Sequence, residues 1–320
     1  MGAKKKVAEQ QSLSPEQEQQ FKYYWYAARQ AITEERYDEA YVLLTFCETI
    51  NPKDGATLCF LGIIEGGLDH SIKSLILLHD AFEADPYDQW YHYVKELKEI
   101  GTPGTNMMAL EALEKAHDVQ QKSGNVDDDL LDALQEMYLQ AGYWQKALGV
   151  QDEIDLQKGY DAYSAQLRCR VYLLMHKPKK ALSEVDKYLE LEPSDVQFLK
   201  YRVELMYELK SKDKDIWAQY ERILQLVPYD LMVLNNYAYH LATHKGDLKK
   251  AEKMSAITIQ EDPYNPMYLD TYGWILHLQG QDELAYFYLM KAKRYETDET
   301  SEDIRQHLEK INSKKANYEK

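Results

Sequence analysis

The chain has 320 residues, enough for two ordinary globular domains or one extended array, and its formal net charge is −16. That acidic balance argues against a nucleic-acid or anionic-membrane binder, because phosphate contacts need clustered Lys and Arg. Only 14 glycines and 9 prolines are present, which points to long helices joined by short turns.

Residues 1–20 are polar and Gln-rich, so a disordered tail is expected there. The opening Met1-Gly2-Ala3-Lys4-Lys5-Lys6 has no apolar segment and is not a secretory signal. It also misses the myristoylation pattern, since Lys6 stands where Ser or Thr is required. No apolar run is long enough to span a membrane. The compartment stays open between a cytoplasmic protein and one exported by a signal removed upstream.

From residue 21 onward a punctuation mark recurs. Pro52-Lys53-Asp54 and Pro86-Tyr87-Asp88 are followed by Asn125-Val126-Asp127, Gly159-Tyr160-Asp161, Pro193-Ser194-Asp195, Pro228-Tyr229-Asp230 and Pro263-Tyr264-Asn265. The final residues of these seven phrases are spaced 34, 39, 34, 34, 35 and 35. Proline lacks the amide a helix needs and glycine tolerates left-handed dihedrals, so either ends a helix. Asp or Asn two residues on can cap the next one. The units so delimited are 21–54, 55–88, 89–127, 128–161, 162–195, 196–230, 231–265 and 266–299.

Each unit reads as two helices. Ala40, Ala147, Ala181, Ala251 and Ala285 open the packed face of the second helix, and Gly142, Gly246 and Gly280 sit in the turn before it. Ala28, Gly62, Cys169, Ala238 and Gly273 mark a close approach on the first helix, where a bulky residue would force the pair apart. The third unit is five residues longer, and Gly101-Thr102-Pro103-Gly104-Thr105 reads as an extended turn, either a hinge or simply a looser connection. After the last unit, Ser301 can cap a short helix over 300–312, with Ile304, Leu308 and Ile311 on one stripe to cover the end of the array. Residues 313–320 read as a disordered tail.

On these residues the chain resembles a tetratricopeptide repeat protein, whose unit is a 34-residue helix-turn-helix. Leu234-Asn235-Asn236-Tyr237-Ala238 and Leu269-Asp270-Thr271-Tyr272-Gly273-Trp274 carry the resemblance best. They are similar to repeats common in bacterial proteins, including cell-envelope lipoproteins. The resemblance implies an all-α, right-handed superhelical solenoid of about eight repeats with a C-terminal capping helix. It also implies a concave groove lined by first helices, with partner-facing side chains at the fifth and ninth positions of each unit. Those positions hold Trp25 and Arg29, Cys59 and Ile63, Tyr93 and Leu97, Asp132 and Glu136 in the first four units. Gln166 and Arg170, Lys200 and Glu204, Asn235 and Tyr239, and Asp270 and Trp274 hold them in the last four. Asn235, Tyr239 and Trp274 suit a peptide best, through a two-way amide and aromatic area, although both aromatics could equally stack between neighbouring helices. No three consecutive units carry the Lys and Asn pattern of a chaperone-type carboxylate clamp.

Catalytic chemistry is not indicated. His240 and His244 are four apart on a helix, but no Glu lies between them as a zincin needs and no third ligand is apparent. Asp127-Asp128-Asp129 coincides with a helix start, where carboxylates suit the positive end. Cys47, Cys59 and Cys169 form no metal-ligand spacing and read as core thiols. The expectation is therefore a scaffold that binds a protein or peptide, with no metal, no cofactor and no nucleic acid. The alternative is a structural component of a bacterial cell envelope, lipid-anchored through a segment not contained in this sequence.

Overall fold

The structure, a computed structural model, describes residues 13–318. Among them are seventeen helices and no strand. The chain divides between Gly159 and Tyr160, at the fourth junction, into two compact bodies.

The N-terminal body is four helix hairpins: α1 (Pro15–Thr33) with α2 (Tyr37–Ile50), α3 (Gly55–Gly67) with α4 (Ser71–Ala84), α5 (Trp90–Ile100) with α6 (Pro103–Ser123), and α7 (Asp128–Gln140) with α8 (Trp144–Lys158). The C-terminal body has four more: α9 (Ala162–Leu174) with α10 (Pro178–Leu191), α11 (Val196–Glu208) with α12 (Asp213–Leu226), α13 (Leu231–Thr243) with α14 (Leu248–Glu261), and α15 (Pro266–Leu278) with α16 (Asp282–Arg294). A last helix, α17 (Ser301–Tyr318), closes the second body.

The punctuation works largely as the chemistry requires. Asp54, Asp161, Asp195, Asp230 and Asn265 each accept a hydrogen bond from a backbone amide in the first turn of the helix they precede. The two junctions flanking the third hairpin differ. Asp127 stands at the N-cap of α7, but its Oδ2 accepts from Gln120 Nε2 at 2.8 Å while its own amide donates to Gln120 Oε1. Gln120 Nε2 also donates to the carbonyl of Tyr87 at 2.9 Å, tying the preceding junction to the same buried amide. At that junction Asp88 is not a cap: α5 begins one residue late, after Gln89.

The third hairpin corrects the sequence reading. Its five extra residues are not in the turn but in α6, which runs 21 residues. Gly101 takes φ +65° and ends α5, and Thr102 at once caps α6 in a reciprocal box with Thr105, with Pro103 at the first helical position. Proline costs a helix nothing there, because that amide has no intrahelical partner. The extra turn of α6 is what brings Gln120 to its two junctions.

The ends also differ from expectation. Ser14 caps α1 in a box with Gln17, so residues 15–20 are helical; residues 1–12 of the expected tail lie outside the described residues. Beyond residue 312, where the capping helix was expected to stop, α17 continues to Tyr318; residues 319–320 lie outside the described residues.

Every hairpin turn contains one residue with positive φ: Glu35, Asp69, Gly101, Gly142, His176, Lys210, Lys245 and Gly280. Behind five of the turns the second helix opens its packed face on an alanine. Ala40, Ala147, Ala181, Ala251 and Ala285 are all fully buried. At Gly273 a Cβ would lie 2.9 Å from Leu289 Cγ and 3.1 Å from the Ala285 carbonyl oxygen; at Gly62 it would lie 2.8 Å from Leu78 Cγ. Cys47, Cys59 and Cys169 are buried, and burial pushes each thiol up to about 11. No helix is long and apolar enough to cross a membrane among the described residues.

The contact at Gly273 includes backbone, so it cannot relax by a rotamer change. Gly273→Ala is expected to destabilise the C-terminal body by about 1–3 kcal/mol despite the better helix propensity of alanine. Urea unfolding checks this: an unchanged or raised midpoint would show that α15 and α16 separate freely.

Candidate functional site

The first helices of the C-terminal body, α11, α13 and α15, present two adjoining cavities. One, of about 440 Å³, is lined by Lys200, Val203, Glu204 and Tyr207 of α11, Tyr220 and Ile223 of α12, and Met232, Val233, Asn236 and Tyr239 of α13. The other, of about 210 Å³, is lined by Asn235, Asn236 and Tyr239 of α13, Met267, Asp270 and Thr271 of α15, and Glu299, Thr300, Asp303 and Ile304 at the entry to α17. Asn236 and Tyr239 belong to both. The α11–α13 cavity is largely apolar in its walls, and Lys200 within it is already paired with Asp230 at 2.6 Å.

The N-terminal body has a cavity of its own, about 680 Å³, between α5 and α7. Lys98 reaches Glu136 across it at 2.6 Å, so part of its charge is satisfied internally.

The side chains expected at groove positions fall into three groups. Lys200, Glu204, Asn235, Tyr239 and Asp270 line the C-terminal cavities, and Asp132 and Glu136 line the N-terminal one. Arg29, Gln166 and Arg170 are exposed, the Gln166 amide donating to the Tyr201 hydroxyl at 3.3 Å. Trp25 is half-buried, edge-on to Phe60. Cys59 is buried, while Ile63 is exposed. Tyr93, only 3% exposed, is in the core against Phe82, and Leu97 is fully buried. The late start of α5 moves the groove positions of the third repeat by one residue, to Val94 and Lys98, both of which line the cavity.

At the end of the array the chain uses expected groove residues itself. Asp270, 6% exposed, receives His307 Nδ1 of α17 at 2.9 and 3.0 Å. Trp274, 9% exposed, is stacked on the same imidazole with ring centroids 4.1 Å apart, and Lys310 Nζ lies 4.8 Å from its centroid. Burial raises the Asp270 carboxyl pKa, opposed by the hydrogen bond from His307. Ile304, Leu308 and Ile311 pack with Leu269, Leu276, Leu289 and Ala292. Thus α17 covers both helices of the last hairpin, and Trp274 faces it rather than an open groove. Asn236, Tyr207, Met232 and His307 were missed in the sequence; His307 breaks the apolar stripe of α17, the one sign that it meets a polar partner.

His240 and His244 stack at 3.9 Å, and Asp213 at the start of α12 brings a carboxylate oxygen within 3.7 Å of His240 Nε2. The ligand atoms of these three residues lie within 4.8 Å of one another, which supplies the third group absent from the local sequence. The tautomer argues against a metal. Trp217 Nε1–H donates to His240 Nδ1 at 2.8 Å, so the neutral ring carries its proton on Nε2, the very atom that would have to coordinate. Metal-binding histidines do the reverse, donating from the far nitrogen to an acceptor. His240 instead acts as a core histidine between Tyr207 and Trp217.

Comparison with solved structures supports the architecture. A chain in the structure of Naa15/Naa10 bound to HypK-THB superposes with a TM-score of 0.67 at 12% identity, covering 89% of this chain and 46% of that one. The chain has a tetratricopeptide-like fold. Weaker similarities link this tetratricopeptide-like chain to a tetratricopeptide repeat protein from Parabacteroides merdae ATCC 43184 (TM-score 0.40, 13% identity, covering 92% and 99%) and to the P58(IPK) TPR domain (TM-score 0.35, 12% identity, covering 92% and 97%). No protein-family model matches the sequence, and no curated protein matches it.

His240 provides a pH test. Burial, reinforced by His244, lowers its pKa from the ordinary 6.5 to about 4, with Asp213 opposing. Because the folded value is depressed, the unfolded chain binds more protons between about pH 6.5 and 4, and stability falls as pH drops through that window. The thermal midpoint is expected to decline below pH 6.5 while the His240 ring signal in an NMR titration stays unmoved down to pH 5. A His240 titration midpoint above 6 would contradict the buried, Trp217-fixed neutral ring.

Proposed function

We propose that this chain is a non-catalytic scaffold that holds a segment of a protein partner against the first helices of its C-terminal body. The observation that carries the reading is the pair of adjoining cavities on α11, α13 and α15, with Tyr239 and Asn236 common to both. Their walls combine exposed Met232 and Met267 with tyrosines and tandem asparagines. Such surfaces bind peptides well: aromatics give contact area with few rotors, thioethers adapt, and amides match a peptide backbone. The cavities are open troughs spread along successive helices, which suits an extended segment better than an enclosed small molecule. The Naa15/Naa10 structure, in which an array of similar fold is part of a protein assembly bound to HypK-THB, is in keeping with this role.

Tyr239 is the expected hot spot, because it borders both cavities and is only half-buried. Truncating a central aromatic anchor commonly removes about 2 kcal/mol or more, roughly thirtyfold in affinity. Tyr239→Ala should therefore weaken a partner captured by the full chain at least about tenfold, with helicity by circular dichroism unchanged. Phe287→Ser, at an exposed position on the second helix α16, should leave binding as it was. The opposite pattern, loss with Phe287→Ser and none with Tyr239→Ala, would move the binding face to the second helices.

A further inference from the structure

We infer that the smaller cavity, between α13, α15 and the entry to α17, is a pocket for a lysine or arginine side chain of the bound segment. The inference rests on the proposed binding face and adds the chemistry that the face selects.

The polar groups lining this pocket are acceptors or neutral: Asn235, Asn236, Asp270, Thr271, Glu299, Thr300 and Asp303, with no Lys, Arg or His among them. Asp270 is already engaged by His307. Glu299 and Asp303 are both exposed, and neither lies within ion-pair distance of a basic side chain among the described residues. Two carboxylates at one pocket mouth, without a counter-ion, repel each other and attract a cation from solution. Asn235 is a separate observation pointing the same way. It is 6% exposed, lines the pocket, and its Oδ1 has no hydrogen-bond partner among the described residues. Buried acceptors are nearly always satisfied, and this one stands in the pocket wall without a donor. An ammonium or guanidinium group brings several donors and no acceptor, the complement of this lining.

The neighbouring surface of the same array shows the chemistry in use. On α15, Asp270 and Trp274 are met by an imidazole and an ammonium group of the chain's own α17, His307 and Lys310. The pocket is the next station along that acidic and aromatic face, left for a cation from outside. The adjoining α11–α13 cavity, walled by Val203, Tyr207, Ile223, Met232 and Val233, suits an apolar side chain. Asn236 and Tyr239 form the border, so the two side chains belong to one short segment. The fitting partner carries a basic residue close to a large apolar one, and not an acidic tail.

The test uses the full chain and an array of immobilised nonapeptides in which one position is Lys, Arg, Gln or Glu and a second is Leu, Met or Ser at varied separation. Peptides with Lys or Arg near Leu or Met should bind best. Asp303→Lys and Glu299→Lys, both at exposed positions, should each weaken those peptides about tenfold. The same reversals should leave the Gln peptides unchanged, and raising salt should narrow the gap between Lys and Gln peptides. If Tyr239→Ala weakens binding but the charge reversals do not, or if Glu peptides bind as well as Lys peptides, the cation pocket is wrong while the binding face stands. If no peptide binds, or Tyr239→Ala and the charge reversals are all without effect, the face itself is wrong and the pocket falls with it.

Discussion

Everything in this molecule depends on the hairpin turn that folds each second helix back on its first. Eight turns each place one residue in the left-handed region, and only three of those residues are glycine. For the other five, Glu35, Asp69, His176, Lys210 and Lys245, the conformation costs about 1–2 kcal/mol each. It persists because the closed hairpin over-determines it: the fully buried alanines opening the second helices, and the glycines at 62 and 273, let the two backbones meet. With the turn fixed, the side chains of successive first helices fall on one face of each body. The cavities of the C-terminal body follow from that placement.

That face is partly consumed by the chain itself. An array must cover its last apolar surface, and α17 does so with Ile304, Leu308 and Ile311. The helix goes further, using His307 to satisfy the buried Asp270 and to stack on Trp274. The end of the array is thereby sealed by polar as well as apolar contacts. The open surface shifts one hairpin back, to α11 and α13 and the edge of α15.

The repeat was legible because helix stops and caps are local chemistry: a proline or glycine, then an Asp whose carboxylate reaches amides two or three residues on. Where a residue's role is set by a distant partner, the sequence misled. Thr102 and Pro103 read as an extended turn although their local chemistry is that of a helix start; the length of α6 makes sense only once Gln120 is seen joined to Tyr87 and Asp127. The late start of α5 then put Tyr93 in the core where a groove residue was expected. Asp213 is 27 residues before His240 and meets it only through the packing of α12 on α13. Trp274 had the residue type and register of a groove anchor, and nothing near it in the sequence tells that α17 returns to cover it. Tyr239 keeps the expected register and lies on the border of both cavities.

The most direct test of the account is hydrogen–deuterium exchange on the full chain, with and without the tightest peptide from the array. The structure predicts new protection in α11, α13 and the start of α15, where amides flank the two cavities, and none in α10, α14 or α16 away from them. Protection confined to the second helices, or to residues before Gly159, would contradict the claim that the first-helix face of the C-terminal body is the binding surface.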